Sequence, residues 1–183
     1  MKQPWLFPLL AIAISASAHA QIGIYGKFDA TQLNTSNGSA FEIPGWYSGG
    51  GAGIYDDFLH LGPIDLGADL RGDLLAGNGQ KYRSALAGLR LALKAPILPI
   101  RAYVQASAGV GGPSHSGLAG SGAIYDNKFE YQVLGGVDYA IFPHLDWRVA
   151  EVGYGRLTGI SDGGVTPASS LFTISSGLVV RLP

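Results

Sequence analysis

Cysteine is absent from this chain, so no disulfide framework can hold it and no lipid-bearing cysteine can anchor its front end. Charge is scarce as well. Asp, Glu, Lys and Arg make up 14% of the residues and the formal net charge is −1, which excludes the basic footprint that nucleic-acid binding requires. Beyond residue 20 no apolar run is long enough to cross a bilayer as a helix, although 47% of the residues are hydrophobic. That hydrophobic content also excludes a disordered chain. What remains is a chain whose apolar residues alternate with polar ones.

The front of the chain is the exception to alternation. Met1 to Ala20 carries Lys2, an apolar run from Trp5 into the small residues around Ala16, and Ala18-His19-Ala20, a small-x-small cleavage site. This is the pattern of a secretory signal peptide, with the mature chain beginning at Gln21. The run is shorter than the ~20 residues of a spanning helix. The expected organisation is therefore a cleaved signal at 1–20 and one domain at 21–183.

From Gln21 onward the period is two. In the first predicted strand, from Ile22, the residues Tyr25, Lys27, Asp29 and Thr31 oppose Ile22, Ile24, Phe28 and Ala30. Strand two runs from Trp46 to Leu61 and contains the glycine series Gly49 to Gly53, where small residues leave room for bulky neighbours. Strand three, Ile64 to Leu75, sets Asp65, Asp69, Arg71 and Asp73 against Ile64, Leu66, Ala68, Leu70 and Leu74. Strand four (Lys81 to Ala95) places Arg90 and Lys94 opposite Leu89, Leu91 and Leu93, and strand five (Ile100 to Val110) places Arg101, Tyr103 and Gln105 opposite Val104 and Val110. In strand six (Lys128 to Phe142), Glu130 and Asp138 oppose Val133 and Val137. Strand seven (Leu145 to Thr158) breaks the rule, because Arg148 and Glu151 fall on opposite faces. Either one of them points outward or a β-bulge shifts the register. Strand eight starts at Ser169, with Phe172, Ile174, Leu178, Val180 and Leu182 on one face and Thr173, Ser175, Gly177, Val179 and Arg181 on the other.

The expected fold is thus all-β, an eight-stranded antiparallel up-and-down transmembrane β-barrel. Its connections alternate. The odd-numbered ones are rich in Gly, Ser and Asn and mostly long; the even-numbered ones are short and contain Pro63, Pro96 and Pro99, or Pro143. Outer-membrane barrels have short periplasmic turns, longer extracellular loops and an even strand number. Alternation by itself also fits a soluble, lipocalin-like barrel that turns its apolar face inward around a ligand.

The final strand carries Ser175-x-Gly177-x-x-Val180-x-Leu182, which resembles the terminal assembly signal of bacterial outer-membrane barrels without the usual terminal aromatic. As a whole, Gln21 to Pro183 resembles the small OmpA/OmpX-like outer-membrane β-barrel family. The resemblance implies a monomer of the bacterial outer membrane that touches outer-membrane lipids and lipopolysaccharide and is inserted by the barrel-assembly machinery. It also implies a narrow interior filled by side chains, with no cofactor, no metal and no catalytic residues. The expected role is structural, adhesive or protective, exerted through extracellular loops and a partner that they bind. A narrow channel and a lipid-modifying enzyme are the alternatives.

The candidate residues are those of the lumen. Lys27, Asp29, Asp65, Asp69, Arg71, Asp73, Arg90, Arg101, Glu130, Asp138, Glu151 and Arg181 are expected to form one polar network, with Arg71, Arg90, Arg101 and Arg181 pairing to Asp65, Asp69, Asp138 and Glu151. Asp65 and Asp73 are too far apart along their strand for one metal site. Two weaker constellations stand beside the network. Asp56-Asp57 with His60 loosely resembles an outer-membrane protease site, but adjacent strand residues point to opposite faces. His115-Ser116 loosely resembles a lipid A deacylase, but in a Gly/Ser loop that holds no nucleophile–base geometry. Trp46, Tyr47, Tyr55, Tyr125, Phe129 and Tyr131 near one set of strand ends, and Tyr25, Tyr139, Phe142 and Trp147 near the other, are read as interfacial girdles wherever they face outward.

Overall fold

The computed structural model describes residues 21–34, 45–77, 79–115, 124–125, 127–158, 160–161, 164–165 and 169–182. The signal peptide and much of the long connections lie outside the described residues. Eight long strands form the wall: β1 (Gln21–Asn34), β2 (Gly45–Leu61), β3 (Ile64–Gly77), β4 (Gln80–Lys94), β5 (Ile100–His115), β6 (Lys128–Phe142), β7 (Leu145–Thr158) and β8 (Ser169–Arg181). Each pairs antiparallel with its neighbours in sequence, β4 pairs with β5, and β8 returns to pair with β1 from Arg181 opposite Gly23 to Ser170 opposite Asn34. The sheet is closed. No edge is left among these strands, which is what a sheet in hydrocarbon needs, because lipid offers no partner to an unpaired backbone group.

The faces decide between the two barrel readings. Phe28, Leu74, Leu89 and Val133 are 61–71% exposed on the outside, whereas Asp57, Asp65, Arg90 and Arg148 are 0% exposed within. Apolar side chains out and charges in is the arrangement of a transmembrane barrel and the inverse of a soluble ligand-binding one.

Of three local features, the first settles the alternative left open in the seventh strand in favour of a β-bulge, and the other two depart from the sequence expectation. In β7, Asp138 of β6 faces Arg148 while Val137 faces Ala150, so Val149 is an extra residue, and the register with β8 shifts at the same place. Val149 and Ala150 are consecutively exposed, and the bulge turns both Arg148 and Glu151 inward. A similar shift after Asp57 leaves Phe58 and Leu59 both outward in β2. Finally, β5 runs on to His115 instead of stopping at Val110: Gly111 and Gly112 keep their pairing with β4, and Ser114 and His115 pair with Ile124 and Tyr125. Glycine punctuation does not end a strand whose neighbour still offers hydrogen bonds. At the opposite end of the barrel, the tight turn at Gly62-Pro63 uses Gly62 at φ +63°, in the left-handed region that glycine adopts at little cost.

Because every wall strand is hydrogen-bonded on both sides, the detergent-refolded protein is expected to run as a monomer whose gel mobility changes on boiling. Equal mobility before and after heating, with a helix-rich circular dichroism spectrum, would contradict the closed sheet.

Candidate functional site

Among the described residues most charged side chains gather in the interior, and alternation puts them there. Residues two apart on a strand share a face, so Lys27 and Asp29, or Asp69, Arg71 and Asp73, project into the lumen as rungs. The structure brings all twelve predicted lumen residues into that interior, in levels, with partners that only cross-strand register can choose.

At the short-turn end, Asp57 receives Arg101 at 3.2 Å, Arg101 also donates to Gln21 at 2.9 Å, and Arg181 donates to Asp146. Asp65 sits against Lys94 at 2.8 Å and His60 at 2.6 Å. Arg101 and Arg181 therefore pair with Asp57 and Asp146, outside the expected set, and Asp65 takes Lys94 and His60 in place of an arginine. His60 is accordingly a hydrogen-bond partner of the buried Asp65, and Asp56 is on the opposite side of its strand from the buried Asp57.

In the middle, Glu151 collects Arg71 at 2.9 Å, Arg148 at 3.3 Å, the Tyr103 hydroxyl at 2.6 Å and the Ser175 hydroxyl at 3.2 Å. Arg71 also donates to Asp69 at 2.9 Å, and Asp69 accepts from Tyr25 at 2.8 Å. Asp138 takes two guanidinium groups, Arg148 at 3.0 Å and Arg90 at 3.1 Å. Those two arginines are layered between tyrosine rings. Arg90 lies 3.9 Å from the Tyr55 centroid and 4.1 Å from that of Tyr103, and Arg148 lies 4.8 Å from Tyr103 and 4.2 Å from Tyr25. The sequence Tyr55, Arg90, Tyr103, Arg148, Tyr25 is a continuous cation–π stack across the barrel, each contact worth about 2 kcal/mol when desolvated as here.

Glycine makes room for it. Tyr25 faces Gly53, Tyr55 faces Gly23 and Tyr103 faces Gly136 across adjacent strands, and a Cβ on any of these glycines would strike the facing ring. Within the series Gly49 to Gly53 the same crowding holds at the inward Gly51, which lies under Asp29, Asp73 and Lys27, whereas the outward Gly50 has room for a Cβ.

Toward the long-loop end Lys27 bridges Asp29 at 2.7 Å and Asp73 at 2.9 Å, Ser84 donates to Asp73, and Tyr82 donates to Glu130 at 2.6 Å. Above them the lumen turns apolar, with Tyr47, Leu75, Tyr82, Leu157 and Leu171 packed together and Leu33 against them. The sequence expectation contains no such layer.

No family model and no curated protein matches this sequence. Among solved structures the chain is similar to Neisserial surface protein A, at 18% identity over 88% of this chain and 97% of that one, with a TM-score of 0.62. It is also similar to Ail, the attachment invasion locus protein of Yersinia pestis, in complex with the heparin analogue sucrose octasulfate (14% identity, 89% and 99% coverage, TM-score 0.56). A third is the outer membrane protein OprG of Pseudomonas aeruginosa (12% identity, 89% and 96% coverage, TM-score 0.50). The fold is that of a small outer-membrane barrel. Its outer face agrees, since exposed Trp46, Phe129 and Tyr131 lie toward the long-loop ends of their strands and exposed Tyr139, Phe142 and Trp147 toward the short-turn ends, bracketing an apolar belt. The closed sheet and its outward apolar belt are those of an outer-membrane barrel, a class in which the short turns are periplasmic and the longer loops extracellular.

Several assignments change with the structure. Tyr25, Tyr47 and Tyr55, read as girdle candidates, are buried inside at 1–5% exposure. Asp57, Asp146, Arg148 and the stacking tyrosines belong to the network although they were not singled out for it; for Tyr25 and Tyr103 the signal was present, since both fall on the polar parity of their strands. In the terminal strand, Ser175 and Gly177 face the lumen and Val180 and Leu182 face outward; a Cβ at Gly177 would strike the Gly26 carbonyl. The His115 side chain, Ser116 and the Tyr125 side chain lie outside the described residues.

Proposed function

We propose that this protein is a non-enzymatic, non-conducting outer-membrane barrel that holds its extracellular loops at the cell surface for a structural, adhesive or protective task. The observation that supports this reading is the stack of Arg90 and Arg148 between three tyrosines. A guanidinium 3.9 Å from one ring and 4.1 Å from the next leaves no room between them for water or a hydrated ion. Both cations are fixed to Asp138 and Arg148 also meets Glu151 at 3.3 Å, so two carboxylates stand against the two guanidinium groups and the plug is electrostatically as well as sterically closed. The apolar cluster around Leu157 and Leu171 adds a second barrier toward the outside.

With the lumen occupied, the surface that varies in chemistry is the set of long connections, and loops on a rigid scaffold are where binding is placed. On this reading the lipid-facing wall contacts outer-membrane lipids and lipopolysaccharide, the assembly machinery engages β8 during insertion, and the loops carry the physiological contact. In planar bilayers the purified barrel is expected to give no discrete single-channel openings. Reproducible unitary conductance in the unmodified protein would replace this proposal with the channel reading, and altered acyl chains on lipid A after overexpression would replace it with the enzyme reading.

A further inference from the structure

The acids of the lumen can be matched one to one with cations except in the tier nearest the long loops. Asp57 takes Arg101, Asp65 takes Lys94, Asp146 takes Arg181 and Asp138 takes Arg90, while Asp69 and Glu151 meet Arg71 and Arg148. What is left is Lys27 against Asp29, Asp73 and Glu130. Lys128 stands two residues farther out on the inward face of β6, half-buried. Even with Lys128 assigned to Glu130, two acids share a single lysine.

A glycine brings those two acids together. Asp29 on β1 and Asp73 on β3 flank β2, where Gly51 lies opposite Lys27 on one side and Asp73 on the other. With no side chain at Gly51, Asp29 Oδ2 and Asp73 Oδ1 both close on the point where its Cβ would stand. Neither oxygen accepts a hydrogen bond, although Lys27 lies 2.9 Å from Asp73 Oδ1, and both are shut off from solvent. Their sister oxygens are occupied, Asp29 Oδ1 by Lys27 at 2.7 Å and Asp73 Oδ2 by the Ser84 hydroxyl at 2.9 Å. The apolar layer of Tyr47, Leu75, Tyr82, Leu157 and Leu171 closes the tier above. Two facing carboxylate oxygens in such a place repel each other with little water to screen them.

We propose that Asp29 and Asp73 form a proton-binding site, in which one proton bridges Asp29 Oδ2 and Asp73 Oδ1. The pair then carries one negative charge, which Lys27 neutralises. Two oxygens suffice for a proton, whereas a calcium or magnesium ion needs about six ligands. Among the described residues no three acids or histidines are grouped to hold a metal ion. The proton belongs to the pair and not to either residue. The charged groups that face it are Lys27 on β1, Arg71 on β3, Glu130 on β6 and Glu151 on β7, with the Tyr82 hydroxyl on β4 beside them. At this level β2, β5 and β8 present no charged side chain among the described residues. Loss of the proton sets two carboxylates against one lysine directly beneath the apolar layer, so alkali loosens the long-loop end of the lumen first. A folded pair that keeps a proton which the unfolded aspartates have released contributes stability in acid, and that contribution is lost as pH rises past the point where the pair lets go.

The test uses the full barrel refolded in lipid vesicles, each variant first checked for heat-modifiable mobility. At neutral pH the infrared spectrum of the unmodified protein is expected to show a protonated-carboxyl stretch that Asp29→Asn and Asp73→Asn each remove. In Asp29→Asn the new amide donates to Asp73 Oδ1 in the proton's place. From about pH 6 to about pH 9 the urea midpoint of the unmodified barrel should therefore fall relative to that of Asp29→Asn, until the variant is at least as stable. Titration of His60 or Glu130 occurs in both proteins and cancels in the comparison. An unmodified barrel without the carboxyl absorption, or an absorption that both variants keep, would overturn the proposal. So would an Asp29→Asn midpoint lower by the same amount at every pH, which is the behaviour of a plain ion pair to Lys27. A midpoint that follows added calcium at fixed ionic strength in the unmodified protein but not in Asp29→Asn would replace the proton with a metal ion and equally sink it. Should neither variant fold, the absorption of the unmodified protein and its disappearance on titration with alkali decide the matter alone.

Discussion

Glu151→Ala is expected to lower the stability of the folded barrel by about 3–5 kcal/mol, the range for removing one partner from a buried ion cluster. Glu151 is the acceptor for Arg71, Arg148, Tyr103 and Ser175, with Lys27 at 3.8 Å, so its loss strands several donors at once in a dry interior. Arg71 keeps Asp69 and Arg148 keeps Asp138, which is why the lumen should loosen and not collapse. Urea unfolding in lipid vesicles checks this, with Glu130→Gln as the comparison. That substitution preserves an acceptor for Tyr82 and removes a charge with no arginine on it, so its loss should be about 1 kcal/mol. If Glu151→Ala unfolds at the same urea concentration as Glu130→Gln, the central role of Glu151 is refuted.

Val104→Lys carries the second large effect. Val104 is 56% exposed on the outer wall among Leu66, Leu89, Leu91 and Val133, so a lysine there places an ammonium in hydrocarbon at a cost on the order of 2–4 kcal/mol. From the sequence, Gln105→Lys is expected to be much milder because its side chain enters a polar lumen. The geometry raises that expectation. The Gln105 amide donates to Asp69 at 2.7 Å and to Ser107 at 2.9 Å while accepting from Arg71 at 3.0 Å. A lysine would keep the first contact, lose the acceptor and set a second cation beside Arg71, for a cost of about 1–3 kcal/mol. Stability alone therefore separates the two positions poorly. A lipid-phase quencher separates them well: a fluorophore at position 104 should be strongly quenched and one at 105 protected, and equal quenching would contradict the assignment of faces.

Parity carried most of what could be read in advance. Along β1, β3, β4, β5 and β8 a period of two places Lys27, Asp69, Arg90, Gln105 and Ser175 on the face opposite the aliphatic residues, and that face is the lumen. Parity does not say which face is inside, since a soluble barrel has the same alternation. The structure answers through the exposure of Leu74 and Leu89 against the burial of Asp65 and Arg90. Aromatic residues were harder to place than charged ones, because tyrosine serves equally well at a membrane interface and over a guanidinium. Tyr47 and Tyr55 went inward where their strand phase, and not their chemistry, sent them.

Alternation, turn chemistry and the absence of any long apolar segment are local properties of the chain, and they suffice to read eight strands with a polar and an apolar face. The tertiary structure alone decided who meets whom. Cross-strand register is a property of two strands together, and a single bulged residue, Val149, reverses the parity of everything before it in β7. That one insertion swings Arg148 inward with Glu151, gives Asp138 its second arginine, and supplies the cation between Tyr103 and Tyr25. The broken periodicity of β7 leaves an outward charge and a bulge equally open; the bulge wins because it lets Arg148 and Glu151 both meet partners on other strands.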